Sequence, residues 1–258
     1  MQPRSGQAPV IAPSPSAVAA HPRAGLAPVD ISENTNSIAT DVNAAGRVVG
    51  LADNLAVIFN PITALTSPSG SPEIAQRVST QGYIAGWGIQ SGVQRAFVTN
   101  PGSVVWLPPL VPNGISSAND VNDAGHVVGF VDDVSGELKA TFWNSALFAS
   151  NLGQPGIFSL ASAINNADVV VGYQVLSGVI TPTQWGAGTG TTVVMPMLPG
   201  STNAFPNDID NNGFAVGRSD NHAVLWLPDA TGIVDLILTA KRAAEARPLR
   251  SPRRPVVK

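Results

Sequence analysis

The stretch "ANDVNDAGHVVG" at residues 118–129 repeats, with few changes, "ATDVNAAGRVVG" at 39–50. Three further copies follow the same template: "AQRVSTQGYIAG" at 75–86, "ASAINNADVVVG" at 161–172 and "PNDIDNNGFAVG" at 206–217. Their closing glycines, Gly50, Gly86, Gly129, Gly172 and Gly217, are spaced 36, 43, 43 and 45 residues apart. Self-similarity at a period of about 40 is the mark of a repeat architecture, each copy being one supersecondary unit.

The rest of each unit reads as strand. A short phrase follows every copy: "AVIFN" at 56–60, "AFVTN" at 96–100, "ATFWN" at 140–144, "PTQW" at 182–185 and "AVLW" at 223–226. A third segment, rich in β-branched residues and Leu, closes the unit: "ITALT", "SVVWLPPL", "ALFASNL", "TTVVMPML" and "GIVDLIL". Apolar residues cluster in short runs without a sustained helical period, so each unit is expected to hold four strands. Four short strands with their turns need about 42 residues, which the spacing supplies.

Turn chemistry accounts for the fixed letters. Asn43 and Asn122 sit where a short amide bonds backbone two residues on. Gly46, Gly125 and Gly213 sit where the turn needs positive φ. Asp168 replaces that Gly in the fourth copy, and Asp is among the few residues tolerated there. Asp210 and Ser79 fill the Asn slot in the fifth and second copies. These substitutions follow shape, so the phrase is read as a structural motif.

At these residues the chain resembles the HAF repeat of bacterial extracellular repeat proteins. The resemblance covers roughly 26–238, with "HAVLW" at His222 and "RAFVT" at Ala96 and Phe97 nearest to the His-Ala-Phe phrase. It implies an exported protein, extracellular or periplasmic, with a repetitive β architecture and no catalytic residues. Four-stranded units that cannot bury both faces alone must stack on their neighbours. The expected fold is therefore all-β, a five-bladed β-propeller of four-stranded antiparallel blades. The segment "LAPVDIS" at 26–32 reads as the fourth strand of a unit.

Composition bounds the ends and the partners. Residues 1–25 read as a Pro/Ala-rich disordered leader without a recognisable signal peptide. Residues 239–258 read as a basic disordered tail, in which seven cations against Glu245 give +6. The leader's Arg4 and Arg23 leave −11 for residues 29–238, a body that repels nucleic acid. No run of 18 apolar residues offers a membrane span, and the absence of cysteine excludes disulfides and thiol chemistry.

Few residues suggest chemistry. Asp41, Asp120 and Asp208 recur at one slot, where Arg77 and Ala163 stand in the other copies; they are read as bonding at strand ends rather than ringing a channel. The glycines of "WGAGTGTTVV" at 185–194 lack a P-loop's Lys and following helix, so a hairpin loop is expected. His21, His126 and His222 show no metal-ligand spacing, and no nucleophile–base pair occurs. Neither a metal nor a cofactor is expected. Trp143, Trp185 and Trp226 share one position, with Phe59 and Thr99 in the other copies, as packing would require.

The expectation is a non-enzymatic binding scaffold with an unidentified protein or glycan partner. The alternative is a lectin-like module with one shallow site per blade, which requires exposed aromatics at equivalent positions. A hydrolase would require paired carboxylates in a cleft.

Overall fold

The computed structural model describes residues 36–239, apart from residues 60, 101 and 102. The leader, the 26–32 segment and the tail beyond residue 239 lie outside the described residues. Each repeat forms one antiparallel sheet whose four strands are neighbours in chain order. The first sheet holds β1 (Ser37–Val42), β2 (Val48–Ala52), β3 (Leu55–Phe59) and β4 (Thr63–Ala64). The second holds β5 (Gly70–Val78), β6 (Ile84–Gln90), β7 (Val93–Asn100) and β8 (Ser103–Trp106). The third holds β9 (Ser116–Val121), β10 (Val127–Asp132), β11 (Leu138–Trp143) and β12 (Ala149–Asn151). The fourth holds β13 (Ser159–Ile164), β14 (Val169–Leu176), β15 (Val179–Gly186) and β16 (Thr191–Val194). The fifth holds β17 (Ala204–Ile209), β18 (Ala215–Ser219), β19 (His222–Trp226) and β20 (Ile233–Asp235).

Five four-stranded antiparallel sheets, one per repeat among the described residues, bear out the expected all-β repeat architecture of four-stranded antiparallel blades. The repeated phrase is the hairpin joining the first two strands of every sheet. The chain divides into two compact units, the first ending at Asn151 with three sheets and the second beginning at Leu152 with two.

Hydrophobic burial lies between consecutive sheets within each unit. Val49 and Ala56 of the first sheet cluster with Ala75, Val78, Ile84 and Phe97 of the second. Ala85, Ala96 and Val98 of the second cluster with Ala118, Val121 and Trp143 of the third. In the second unit, Ala163 and Val171 cluster with Ile209, Val224 and Trp226. Each buried Val or Ile contributes about 1.5–3 kcal/mol, and a sheet obtains that only from its neighbour.

The turns form as their residues dictate. Asn43 Oδ1 accepts from the N–H groups of Ala45 and Arg47 at 3.1 and 3.0 Å, and Asn122 and Asn165 repeat the pattern. Gly46, Gly125 and Gly213 have φ of 78°, 76° and 87°, and Asp168 takes φ 59° in the same place.

The closing glycines have a different cause. The first strand of each sheet carries a register shift beside the Asp slot, as between Ala39 and Asp41. That bulge drives a backbone carbonyl against the Gly of the second strand. A Cβ on Gly50, Gly129 or Gly217 would lie 1.9, 1.9 or 2.1 Å from the carbonyl oxygen of Ile38, Ser117 or Phe205. No side chain fits there.

Candidate functional site

Seams between sheets occupy most of the polar residues that the sequence singles out. Asp41 Oδ1 accepts from Val42 N at 2.8 Å, and its Oδ2 accepts from Val78 N of the next sheet at 2.8 Å. Arg77, in the same slot of the second copy, turns its Nε to Asp120 of the third at 3.9 Å. Arg77 is therefore the seam's cation rather than a defect in a ring of acids. Asp120 and Asp208 cap the N–H groups of Val121 and Ile209, so all three acids bond at strand ends as expected. The turn amides staple sheets too: Asn43 Nδ2 donates to Ser79 O at 2.9 Å and Asn165 Nδ2 to Asp210 O at 3.0 Å.

One cleft, of about 880 Å³, opens in the first unit. It is bounded by the β2-leading turn and β3–β4 segment of the first sheet, by the β5–β6 turn and the facing ends of β7 and β8 in the second, and by Asp123 of the third. Its floor is apolar, made by Ile58, Leu65, Ile84 and Val104. Hydroxyls of Thr63, Thr66, Thr99 and Ser103 line the walls, with Tyr83 and Arg47 beside them. Thr99 Oγ1 accepts from Ile84 N at 2.9 Å, which fixes its hydroxyl in the wall. A Cβ on Gly82 would meet Arg47 Nη1 at 3.1 Å, so the guanidinium lies against the Gly82 backbone. A Cβ on Gly125 would meet Tyr83 Cε1 at 3.0 Å, which sets the ring on the neighbouring turn. Asp123, the carboxylate of the lining, accepts from Gln81 N at 3.1 Å.

Arg47 differs from the other cations of the described residues. Arg77 pairs with Asp120, and Arg95 donates to Gly114 O. Lys139 is buried between Asp133 and Glu137, and Arg218 lies 3.9 Å over the Phe205 ring. Among these residues Arg47 alone has an exposed guanidinium with no side-chain partner. Arg47 and Tyr83 were not singled out by sequence. Both occupy the slot after the turn residue, which reads Arg47, Tyr83, His126, Val169 and Phe214 across the copies. That is the most varied position of an otherwise repeated phrase, and its variability is the signal that marks them.

The remaining sequence candidates fall elsewhere. Trp143, Trp185 and Trp226 are fully buried, as packing required, and this ends the reading of one aromatic sugar platform per blade. Trp143 Nε1 donates to Pro108 O at 2.8 Å and Trp226 Nε1 to Pro196 O at 2.7 Å, whereas Trp185 Nε1 has no partner. Trp106 packs edge-on against Phe97 and donates to Ser67 Oγ. The glycine-rich stretch is the hairpin loop between β15 and β16. His126 packs edge-on against Phe142, and His222 Nδ1 lies 2.7 Å from Asp235 Oδ2. The Leu238 N–H holds Asp235 below the usual carboxylate range against partial desolvation, with His222 and the Ile237 N–H adding to it. Among the described residues, no three His, Asp or Glu side chains converge as metal ligands, and no helix is long and apolar enough to cross a membrane.

No family model matches the chain, and no curated protein does. Among solved structures it is similar to the extracellular domain of the putative one component system BT4673 from B. thetaiotaomicron, at 13% identity and a TM-score of 0.48. The match covers 79% of this chain and 28% of that one.

Proposed function

We propose that the chain is a non-enzymatic binding scaffold that takes its ligand in the cleft of the first unit. The observation that carries this is the cleft itself: an apolar floor, hydroxyl walls and a cation left without a partner. Concave sites with an apolar body and few polar groups are what ligand recognition uses. Nothing in its lining supplies a nucleophile with a base, and one carboxylate there falls short of the pair that glycoside hydrolysis needs. The HAF resemblance supports an exported setting for the scaffold, extracellular or periplasmic.

The test is a binding screen of the full chain against arrayed glycans and peptides, repeated with Ala64→Trp. Ala64 is exposed on the short strand β4 and lines the cleft, so an indole there fills the space without entering a core. Binding abolished by Ala64→Trp, with the melting midpoint kept, is the expected result. Ligands bound equally by the variant, or no ligand at all, would overturn the proposal.

A further inference from the structure

We infer that the ligand of this cleft is a saccharide bearing a carboxylate, with Arg47 receiving the acid and the hydroxyl wall receiving the sugar. The inference rests on the cleft being the binding site.

Charge sets the ligand's sign and size. Arg47 is unpaired although the described body is strongly acidic, and an arginine fork fits a planar carboxylate with two parallel N–H bonds. The surrounding negative field repels a polyanion, and Asp123 lies in the same cleft. A ligand with one anionic group and otherwise neutral polar surface satisfies both constraints.

Polar surface sets the ligand's class. Thr63, Thr66 and Ser103 each offer a group that donates and accepts. Asp123 adds an acceptor for hydroxyls. Tyr83 offers a ring face for the apolar side of a sugar and a phenol for its edge. The apolar floor suits a pyranose ring and gives nothing to a bare anion such as phosphate. Apolar and hydroxylated surfaces meeting one fork is the complement of a uronic acid residue.

The experiment is calorimetry on the full chain with tetrasaccharides that carry a single terminal glucuronate, galacturonate or mannuronate on three neutral hexoses, each paired with its carboxyl-reduced neutral form. Acetate and inorganic phosphate are run separately as bare anions. The expected result is that one acidic tetrasaccharide binds at least about tenfold more tightly than its neutral form. Arg47→Gln, at an exposed position, should remove that ratio and keep the melting midpoint. Tyr83→Ala should weaken both members of the pair. Equal binding of acidic and neutral forms, an unchanged ratio in Arg47→Gln, or equal affinity for phosphate would overturn the inference. Failure of all three acids, with another ligand still lost on Ala64→Trp, removes the ligand class and leaves the cleft as the site. Failure of the acids with no Ala64→Trp-sensitive ligand removes both.

Discussion

Val78 and Val42 are the same residue at the same point of the repeated phrase, each closing the first strand of its sheet. Val78 is 6% exposed and Val42 is 54% exposed. Val78 meets Val49 and Ala56 of the first sheet, and Asp41 of that sheet caps its N–H. The same contrast holds on second strands, where Val49 is fully buried and Val216 is 42% exposed. Repetition writes one pattern into every copy, but burial is a property of the pair of sheets. A position is core where a neighbour covers it and surface where none does, whatever its letter.

Val78→Asp against Val42→Asp is the strongest way to break this comparison. A carboxylate at Val78 is desolvated between two sheets and should cost about 3–5 kcal/mol. At Val42 it stays in water and should change stability by no more than about 0.5 kcal/mol. Urea unfolding of the two variants measures both. Should Val78→Asp not fold, Val78→Thr keeps the shape and serves in its place. Equal losses at the two sites would mean that the outer face of β1 is covered in solution.

The turn glycines sharpen the same point at smaller magnitude. Gly125 and Gly136 both have positive φ, 76° and 81°. A Cβ at Gly136 meets nothing within 4 Å, while at Gly125 it meets Tyr83. Gly125→Val should cost about 1–3 kcal/mol from backbone strain plus displacement of the ring. Gly136→Val carries the strain alone and should fall at the low end of that range. Melting midpoints order the pair, and a larger loss at Gly136 would show that the neighbouring sheet plays no part at Gly125.

What the sequence made legible follows from this division between local and paired effects. Strand number, hairpin positions and the turn residues are local, so a single copy of the phrase states them and five copies confirm them. The shared position of Trp143, Trp185 and Trp226 was readable as packing because a bulky apolar residue recurs on one register. The closing glycines were visible but not their cause, since only the paired strands show the bulge and the carbonyl at Cα. Arg77 in an Asp slot looked like damage to a symmetric site because its partner, Asp120, lies in the next sheet. The cleft was not legible. Three of its hydroxyls come from the variable third segments, Thr99 from the slot where other copies place a bulky aromatic, and its two large polar side chains from the varied slot of the phrase, so nothing recurs to mark it.

The smallest effect concerns the staple between turns. Asn165 caps its own turn with Oδ1 and reaches Asp210 O with Nδ2, which only an amide can do. Asp210, at the same slot, accepts from Asn212 N and Phe214 N and has no amide to give. Asn165→Asp should therefore cost about 1 kcal/mol, the worth of one hydrogen bond. Asp210→Asn keeps the accepting oxygen and loses at pH 7 only the part of the stability that the ionised carboxyl supplies. Acid separates the two roles further. Partial desolvation works to raise the Asp210 carboxyl, but the N–H groups of Phe214, Asn212 and Gly213 with the Asn212 amide hold it below the usual range. Its contribution is thus complete above the unfolded value of 3.8 and is lost as pH falls through the lower folded one. The Asp210→Asn variant lacks this titration, so its acid limb should be flatter than that of the parent protein. Identical acid limbs would mean that the turn holds its shape with the carboxyl protonated, and that position 210 needs only an oxygen where position 165 needs the whole amide.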